Sequence, residues 1–305
     1  AGFLFARQYY RADTAPEREI RQLTDRLLRR ADWDFFTLPD TGRYAGTLSL
    51  GWKPESGFSP IGWVGYNEAL ILYIIAAGLD YTNSTRAYRK WLSFYDWREP
   101  YPGLAHVVFP PLFGHHYSHI FVDFRNLADG YLREKGIDYF ENSRRATLVQ
   151  RRYAVENPLG WTGYDSLGWG LTACDGPGSS FNQDGKSFYY YTARGTSGPE
   201  LIQNDDGTIA PSAAGGSVVF APQAVIPTLQ AMYTRYGRKG LWGKYGFVDA
   251  FNPTVEWFDR DYLGIDQAAI LLMIENYRSE LIWKYTMRDP VIRKGLRVLG
   301  FESIK

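Results

Sequence analysis

Tyr66-Asn67-Glu68-Ala69-Leu70-Ile71-Leu72-Tyr73-Ile74-Ile75-Ala76-Ala77-Gly78 is the run on which the architecture turns. It reads as an apolar helix that begins at Tyr66 and stops at Gly78, since glycine ends helices at little conformational cost. A helix apolar all round has to be buried among other elements. Its partner is expected over residues 84–94. Residues 115–125 and 142–155 read as a further pair. Upstream, residues 1–10 read as one helix and residues 15–30 as another, with Ile20, Leu23 and Leu27 on one stripe. Downstream, helical patterns cover residues 222–236, about 266–287, and 290–299. Helix pairs joined by long loops predict an all-α fold, an α/α toroid with its long loops on one face. No sequence-level repeat accompanies it.

Two stretches interrupt the helical rhythm. Residues 36–62 are rich in Gly, Thr, Ser and Pro, which predicts a long loop or hairpin. Residues 158–221 hold Trp161, Trp169, Asp175-Gly176-Pro177-Gly178, a β-like Phe188-Tyr189-Tyr190-Tyr191 run and Asp205-Asp206-Gly207-Thr208. Loops this long in a compact domain are usually functional.

Composition narrows the function classes. The chain has 305 residues, with 34 basic against 33 acidic and a net charge of +1. No linker or block of like charge divides it, so residues 1–305 read as one domain. The charge balance excludes a dedicated nucleic-acid binder, which carries a basic stripe. Cys174 is the only cysteine, which rules out an intrachain disulfide and a cysteine-based zinc site. No apolar run of about 18 residues is present to span a membrane. Aromatics make up 17% of the chain, including 23 Tyr and 10 Trp, a surplus of flat amphipathic surface that fits a carbohydrate cleft.

Within that frame, Trp63-Val64-Gly65-Tyr66-Asn67-Glu68 places a carboxyl beside aromatic rings at the expected start of a helix. Rings stack on apolar sugar faces, and a carboxylic acid can protonate a glycosidic oxygen. The structural alternative is that Glu68 only complements the positive helix terminus. Phe113-Gly114-His115-His116-Tyr117-Ser118-His119 carries three of the four histidines. His115 and His119 share a helix face, but no Glu in the metalloprotease pattern and no Cys supports a metal site. Hydrogen bonding to sugar hydroxyls, or from His119 to Asp123, is the expectation. Glu141 either meets substrate or pairs with Arg144 and Arg145. Asp266 can cap the helix behind it, whereas Asp249 lies in a turn flanked by Gly and aromatics with less structural reason to be there.

Taken together these segments resemble the bacterial glucoamylase-like family that contains β-1,2-glucanases and is related to domains of cyclic β-1,2-glucan synthases. The residues that carry the resemblance begin with Gly65-Tyr66-Asn67-Glu68-Ala69, residues 111–119 and Val122-Asp123-Phe124-Arg125. They continue with residues 138–144, 169–177 and Asp206-Gly207-Thr208-Ile209-Ala210-Pro211. Residues 245–252 and Gly264-Ile265-Asp266-Gln267 complete a colinear match over essentially the whole chain. The resemblance implies an (α/α)6 toroid and endo-acting hydrolysis of β-1,2-glucan with inversion. Glu68 is then the general acid, and Asp249, or next Asp266, activates water. Trp63, Tyr66, Trp161 and Trp169 become candidate stacking platforms. His116, His119 and Arg194 become candidate hydroxyl binders, with Glu141 and Asp175 as further substrate contacts. No cofactor and no metal are expected. The expected partner is a β-glucan oligo- or polysaccharide, met by a monomer in the periplasm or outside the cell. An exo-acting or transglycosylating enzyme, or a glucan-binding protein on the same scaffold, are the alternatives.

Two departures accompany the resemblance. Ala268-Ala269 follows Gly-Ile-Asp-Gln where relatives usually carry Gly-Pro. Relatives also carry an Asp-Thr-Ala/Gly-Leu-Leu element ahead of the helix that matches residues 1–10. That helix has apolar periodicity from its first residue and no cap. The expectation is therefore a toroid lacking its N-terminal helices in this chain, with Ala1 packed in the domain and the native polypeptide continuing upstream to an active-site aspartate.

Overall fold

The computed structural model of the chain describes residues 1–182 and 185–304. Its helices are α1 (Gly2–Tyr9), α2 (Ala15–Arg29), α3 (Leu70–Gly78), α4 (Ser84–Leu92), α5 (Phe113–Phe121) and α6 (Gly130–Lys135). They continue with α7 (Tyr139–Glu156), α8 (Pro211–Gly215), α9 (Pro222–Tyr236), α10 (Gly264–Ser279), α11 (Leu281–Thr286) and α12 (Pro290–Val298). Among the described residues, strands occur only as antiparallel pairs of two residues each, and no larger sheet forms. The fold is helix-dominated, as the sequence predicts. No helix among the described residues is long and apolar enough to cross a membrane.

The elements differ from the sequence reading at their ends, for local reasons. The helix expected from Tyr66 begins only at Leu70. Gly65 takes φ +72°, and the Asn67 amide bonds the Val64 and Gly65 carbonyls while its oxygen accepts Ala69 N–H at 2.9 Å. An Asn side chain that binds nearby backbone competes with helix formation, so Glu68 lies in a turn ahead of α3 rather than in its first turn. The single helix expected over 266–287 is two. Glu280 adopts φ +56° and separates α10 from α11. The run Phe188–Tyr191 is not a strand. Tyr189 and Tyr190 turn their carbonyls to the Arg194 guanidinium, at 3.0 and 3.2 Å, and Thr192–Ala193 pairs with Ala173–Cys174 instead.

The chain divides into two compact units. One comprises Ala1–Asp96, Ser118–Phe140 and Glu280–Lys305. Its core is α3, whose Leu70, Tyr73 and Ile74 are fully buried. Helix α12 crosses α3 with backbone against backbone. A Cβ on Gly295 would lie 1.8 Å from the Ile74 carbonyl oxygen, and one on Gly78 2.0 Å from that of Val291. Gly78 is therefore the last residue of α3, as expected, and also a packing residue against α12. Helix α1 is tied to the start of α12, where Arg7 reaches both Asp289 oxygens at 2.6 and 2.7 Å and Gln8 adds a bond at 2.8 Å. Asp289 also caps α12 through Val291 N–H.

The other unit comprises Trp97–Tyr117 and Glu141–Ser279. Helix α8 packs against α9 and α10, with Gly215 set close against Ile270. The long loop between α7 and α9 is held from inside by Arg194 and Asp206, a fully buried ion pair at 2.8 Å.

Candidate active site

The turn that carries Glu68 is fixed on all sides. Gly65 N–H reaches the Trp91 carbonyl at 3.1 Å, which sets the turn against the end of α4. Ser118 donates its hydroxyl to the Glu68 carbonyl at 2.9 Å and accepts Ile71 N–H at 2.9 Å. The Glu68 side chain is left with a buried Oε2 that has no hydrogen-bond partner. Burial pushes its carboxyl up to about 7, against a smaller opposing pull from its own backbone N–H. Such a carboxyl keeps its proton close to neutrality, the condition a general acid needs. The helix-terminus role considered from sequence would have lowered it.

The aromatic residues flanking Glu68 divide. Trp63 is half-buried, with its carbonyl held by the Tyr73 hydroxyl. Tyr66 is buried, stacked on Tyr139 at 5.8 Å with Tyr95 at its edge, so its ring belongs to the core and offers no platform.

The three histidine rings are turned to separate partners. His115 bonds Ser143 Oγ and the Phe109 carbonyl through its two ring nitrogens. His116 Nε2 donates to Ser217 Oγ at 2.8 Å, and that hydroxyl in turn donates to the Ala213 carbonyl. Burial holds the His116 imidazole neutral, down at about 3. His119 packs its ring edge-on to Phe124, while Asp123, its expected partner, is held by Arg125 at 2.6 Å. These rings build the fold around α5, and the hydroxyl-binding role expected of His116 and His119 gives way to packing.

Further expected substrate contacts are also internal. Glu141 is clamped by Arg144 and Arg145. Burial alone would raise its carboxyl, but the two guanidinium groups prevail and lower it. Trp169 is buried and donates to Thr228 Oγ1 at 2.8 Å. Trp161 lies under Gly207 and is covered by Phe188 and the Lys186 ammonium. Arg194 spends its guanidinium on Asp206 and on the carbonyls of Cys174, Asp175, Tyr189 and Tyr190, with nothing left for a sugar. The aromatic and charged residues of this loop hold its shape.

What Arg194 organises is an acid cluster. Its grip on the Cys174 and Asp175 carbonyls presents Asp175 N–H to Asp249 Oδ2 at 2.8 Å. Asp249 follows the Gly246–Phe247 strand and is anchored through its own N–H to the Asp261 carbonyl. Asp266 is the third residue of α10, inside the first turn rather than at its cap, and Tyr117 donates to its Oδ1 at 3.3 Å. Asp249 and Asp266 are 1% and 4% exposed, and their carboxyls are close enough to act on one another electrostatically. Burial pushes Asp249 up to about 8, with Asp266 and Asp175 adding to the rise. Burial raises Asp266 as well. The two aspartates singled out from sequence as candidates for one role thus share one buried environment.

Tyr117, Ser118 and Tyr191 are not singled out by the sequence. Tyr191 is 59% exposed beside the pair, its phenol raised first by burial and then by Asp266 and Asp249. Tyr117 and Ser118 stand in the histidine-rich motif, where nothing local indicates which distant residue each will hold. The described residues that could together take a cation are Asp175, Asp259 and Asp261, whose oxygens lie within 4.8 Å of one another. Partly exposed acidic groups of this kind are common without an ion, and no metal is assigned to them.

Comparison with known proteins places the chain. The family model Glycoamylase, described as "Putative glucoamylase", matches residues 60–290. An exo β-1,2-glucooligosaccharide sophorohydrolase (non-reducing end) of Parabacteroides distasonis is 31% identical over 337 aligned residues, covering 100% of this chain and 42% of that protein. The chain thus spans less than half the length of this curated relative. A crystal structure named as a "putative glucoamylase" of Bacteroides uniformis matches with TM-score 0.81 at 36% identity, over 99% of this chain and 69% of the other. An endo-β-1,2-glucanase of Chitinophaga pinensis, in complex with sophorotriose and glucose, matches with TM-score 0.82 at 30% identity, again over 99% and 69%.

Proposed function

This chain belongs to the Glycoamylase family, and from that premise we propose that it is a glycoside hydrolase that cleaves β-1,2-linked glucan, endo-acting and with inversion, on an (α/α)6 toroid. The observation that carries the reading is Glu68, a carboxyl buried in an aromatic turn, with one oxygen unpartnered and its proton retained up to about 7. It is assigned as the general acid that protonates the leaving glycosidic oxygen. The base that activates water is assigned to the Asp249/Asp266 pair, two buried carboxyls raised by burial. Trp63, half-buried, and Tyr191, largely exposed, are assigned to sugar stacking. The working protein is proposed to be a monomer in the periplasm or outside the cell, where a glucan polymer is met.

A second reading, exo-action releasing a disaccharide, is favoured by the name of the Parabacteroides relative, whereas the Chitinophaga relative favours endo-action. The two readings share the chemistry and differ in whether the cleft admits the middle of a chain. The test is to incubate the protein with β-1,2-, β-1,3- and α-1,4-glucans and resolve the products by size. A ladder of oligosaccharides from the β-1,2-polymer alone is the expected result. A single disaccharide product selects exo-action, and cleavage confined to the other two polymers overturns the substrate assignment.

A further inference from the structure

Asp249 and Asp266 are each satisfied on one side only. Asp249 Oδ2 accepts the Asp175 amide and Asp266 Oδ1 accepts the Tyr117 hydroxyl. Their remaining oxygens, Asp249 Oδ1 and Asp266 Oδ2, are buried and take no hydrogen bond from any other group. Two carboxylates that meet out of water cannot both be ionised, because repulsion adds to the loss of hydration. One proton held by the pair removes the repulsion.

The surroundings of the two members are unequal. Asp266 lies in the first turn of the sixteen-residue α10, where the exposed backbone N–H groups favour negative charge, and a phenol donates to it. Asp249 has one backbone amide and is the less exposed of the two. We propose that Asp249 and Asp266 act as one unit holding a single shared proton, and that Tyr117 is the positioning residue that keeps the negative charge on Asp266. Asp266 is then the member that receives the proton of the attacking water. This rests on the hydrolase reading above and deepens it. In the reaction the water oxygen bonds to the anomeric carbon and the glycosidic C–O bond breaks. The leaving oxygen takes the general acid's proton, and the water proton passes to the Asp266 carboxylate. Asp249 keeps its proton throughout as a hydrogen-bond donor.

The other groups facing the pair favour retention of that proton. Asp175 raises Asp249 and Asp266 from the loop after the Ala173–Cys174 strand, and Asp261 and Asp259 lie beside Asp175. The Tyr191 phenol and Cys174 thiol are both pushed up and stay neutral. Arg194 is bound to Asp206, and its pull on Asp175 is outweighed by burial.

The deciding experiment compares Asp249→Asn, Asp266→Asn and Tyr117→Phe with the wild type. An asparagine at 249 still donates an N–H to Asp266, so Asp249→Asn is expected to lose about tenfold in turnover, while Asp266→Asn loses at least about a hundredfold, the low end for general base catalysis. Equal losses, or the reverse order, overturn the proposal. Tyr117→Phe removes a donor to the ionised member. Its expected effect is to move the acidic limb of the kcat/KM profile upward by roughly half to one pH unit, the equivalent of one hydrogen bond. A fall in rate with the limb unmoved denies Tyr117 its positioning role. Infrared titration of the wild-type protein reads the pair without reference to activity. A neutral-carboxyl band persisting above neutral pH, removed by Asp249→Asn but not by Glu68→Gln, is expected, and the absence of such a band refutes the shared proton. Failure of the wild type on every glucan would refute the hydrolase reading, while the infrared result would still judge the pair.

Discussion

At the scale of single residues, identity said less than surroundings. Glu68 and Glu141 are both glutamates next to aromatics in motifs of equal apparent weight. Glu141 is charged and clamped by two arginines, whereas Glu68 is left with an unpartnered buried oxygen. Glu68→Gln is expected to reduce turnover at least about a hundredfold, since it removes the transferable proton. The same change should stabilise the fold in alkali. The Glu68 carboxyl rises on folding from 4.5 to about 7, so the folded protein binds the proton more tightly and stability falls as pH rises between those values. The cost is about 3 kcal/mol once both forms are ionised, and glutamine escapes it. Thermal melts at pH ~8 and pH ~4 check this: the variant should melt higher than wild type only at the alkaline value. The pH–rate profile of the wild type should correspondingly fall above about 7, as Glu68 loses its proton. A rate that holds level well into alkali would remove Glu68 from the acid role.

At the scale of elements, helix existence followed from apolar periodicity, while helix ends followed from side-chain bonds that periodicity does not register. The Asn67 amide delays α3, and a left-handed Glu280 splits the last long helical pattern. The crossing of α3 and α12 depends on two glycines more than two hundred residues apart in sequence, whose Cβ atoms would strike the opposing carbonyls. Neither glycine advertises this role, and Gly78 reads more readily as a helix stop. Gly295→Ala is expected to cost about 1–3 kcal/mol or more, because the two backbones must separate to admit the methyl group. Its better intrinsic helix propensity returns about 1 kcal/mol at most. Urea unfolding measures the balance, and an unchanged midpoint would mean that the helices part without strain.

At the scale of the whole molecule, the functional reading predicts what leaves the active protein. Hydrolysis of a β-glucan with inversion gives an α-anomer as the first-formed product, which NMR during the first turnovers detects; a β-anomer would establish retention. Chelation is expected to leave turnover unchanged, because the rings of His115, His116 and His119 are engaged in packing and hydrogen bonds away from one another. Loss of activity in EDTA, restored by calcium, would instead direct attention to Asp175, Asp259 and Asp261.

The sequence by itself determined the helical class, the positions of the longer helices, the family and the acids worth testing, while the short α6 and α8 went unread. Apolar periodicity and colinear motifs are properties of the chain as written, and a helix satisfies its backbone within its own segment. Only the tertiary structure decided which polar residues are spent. Arg194, His116, Tyr66 and Trp169 carry the chemistry of sugar binding, yet burial and long-range bonds commit them to the fold. The same folding brought Asp249 close to Asp266 and set Tyr117 against Asp266 across 149 positions of sequence. Desolvation depends on everything packed around a group, and a linear sequence holds no record of it until the chain has closed.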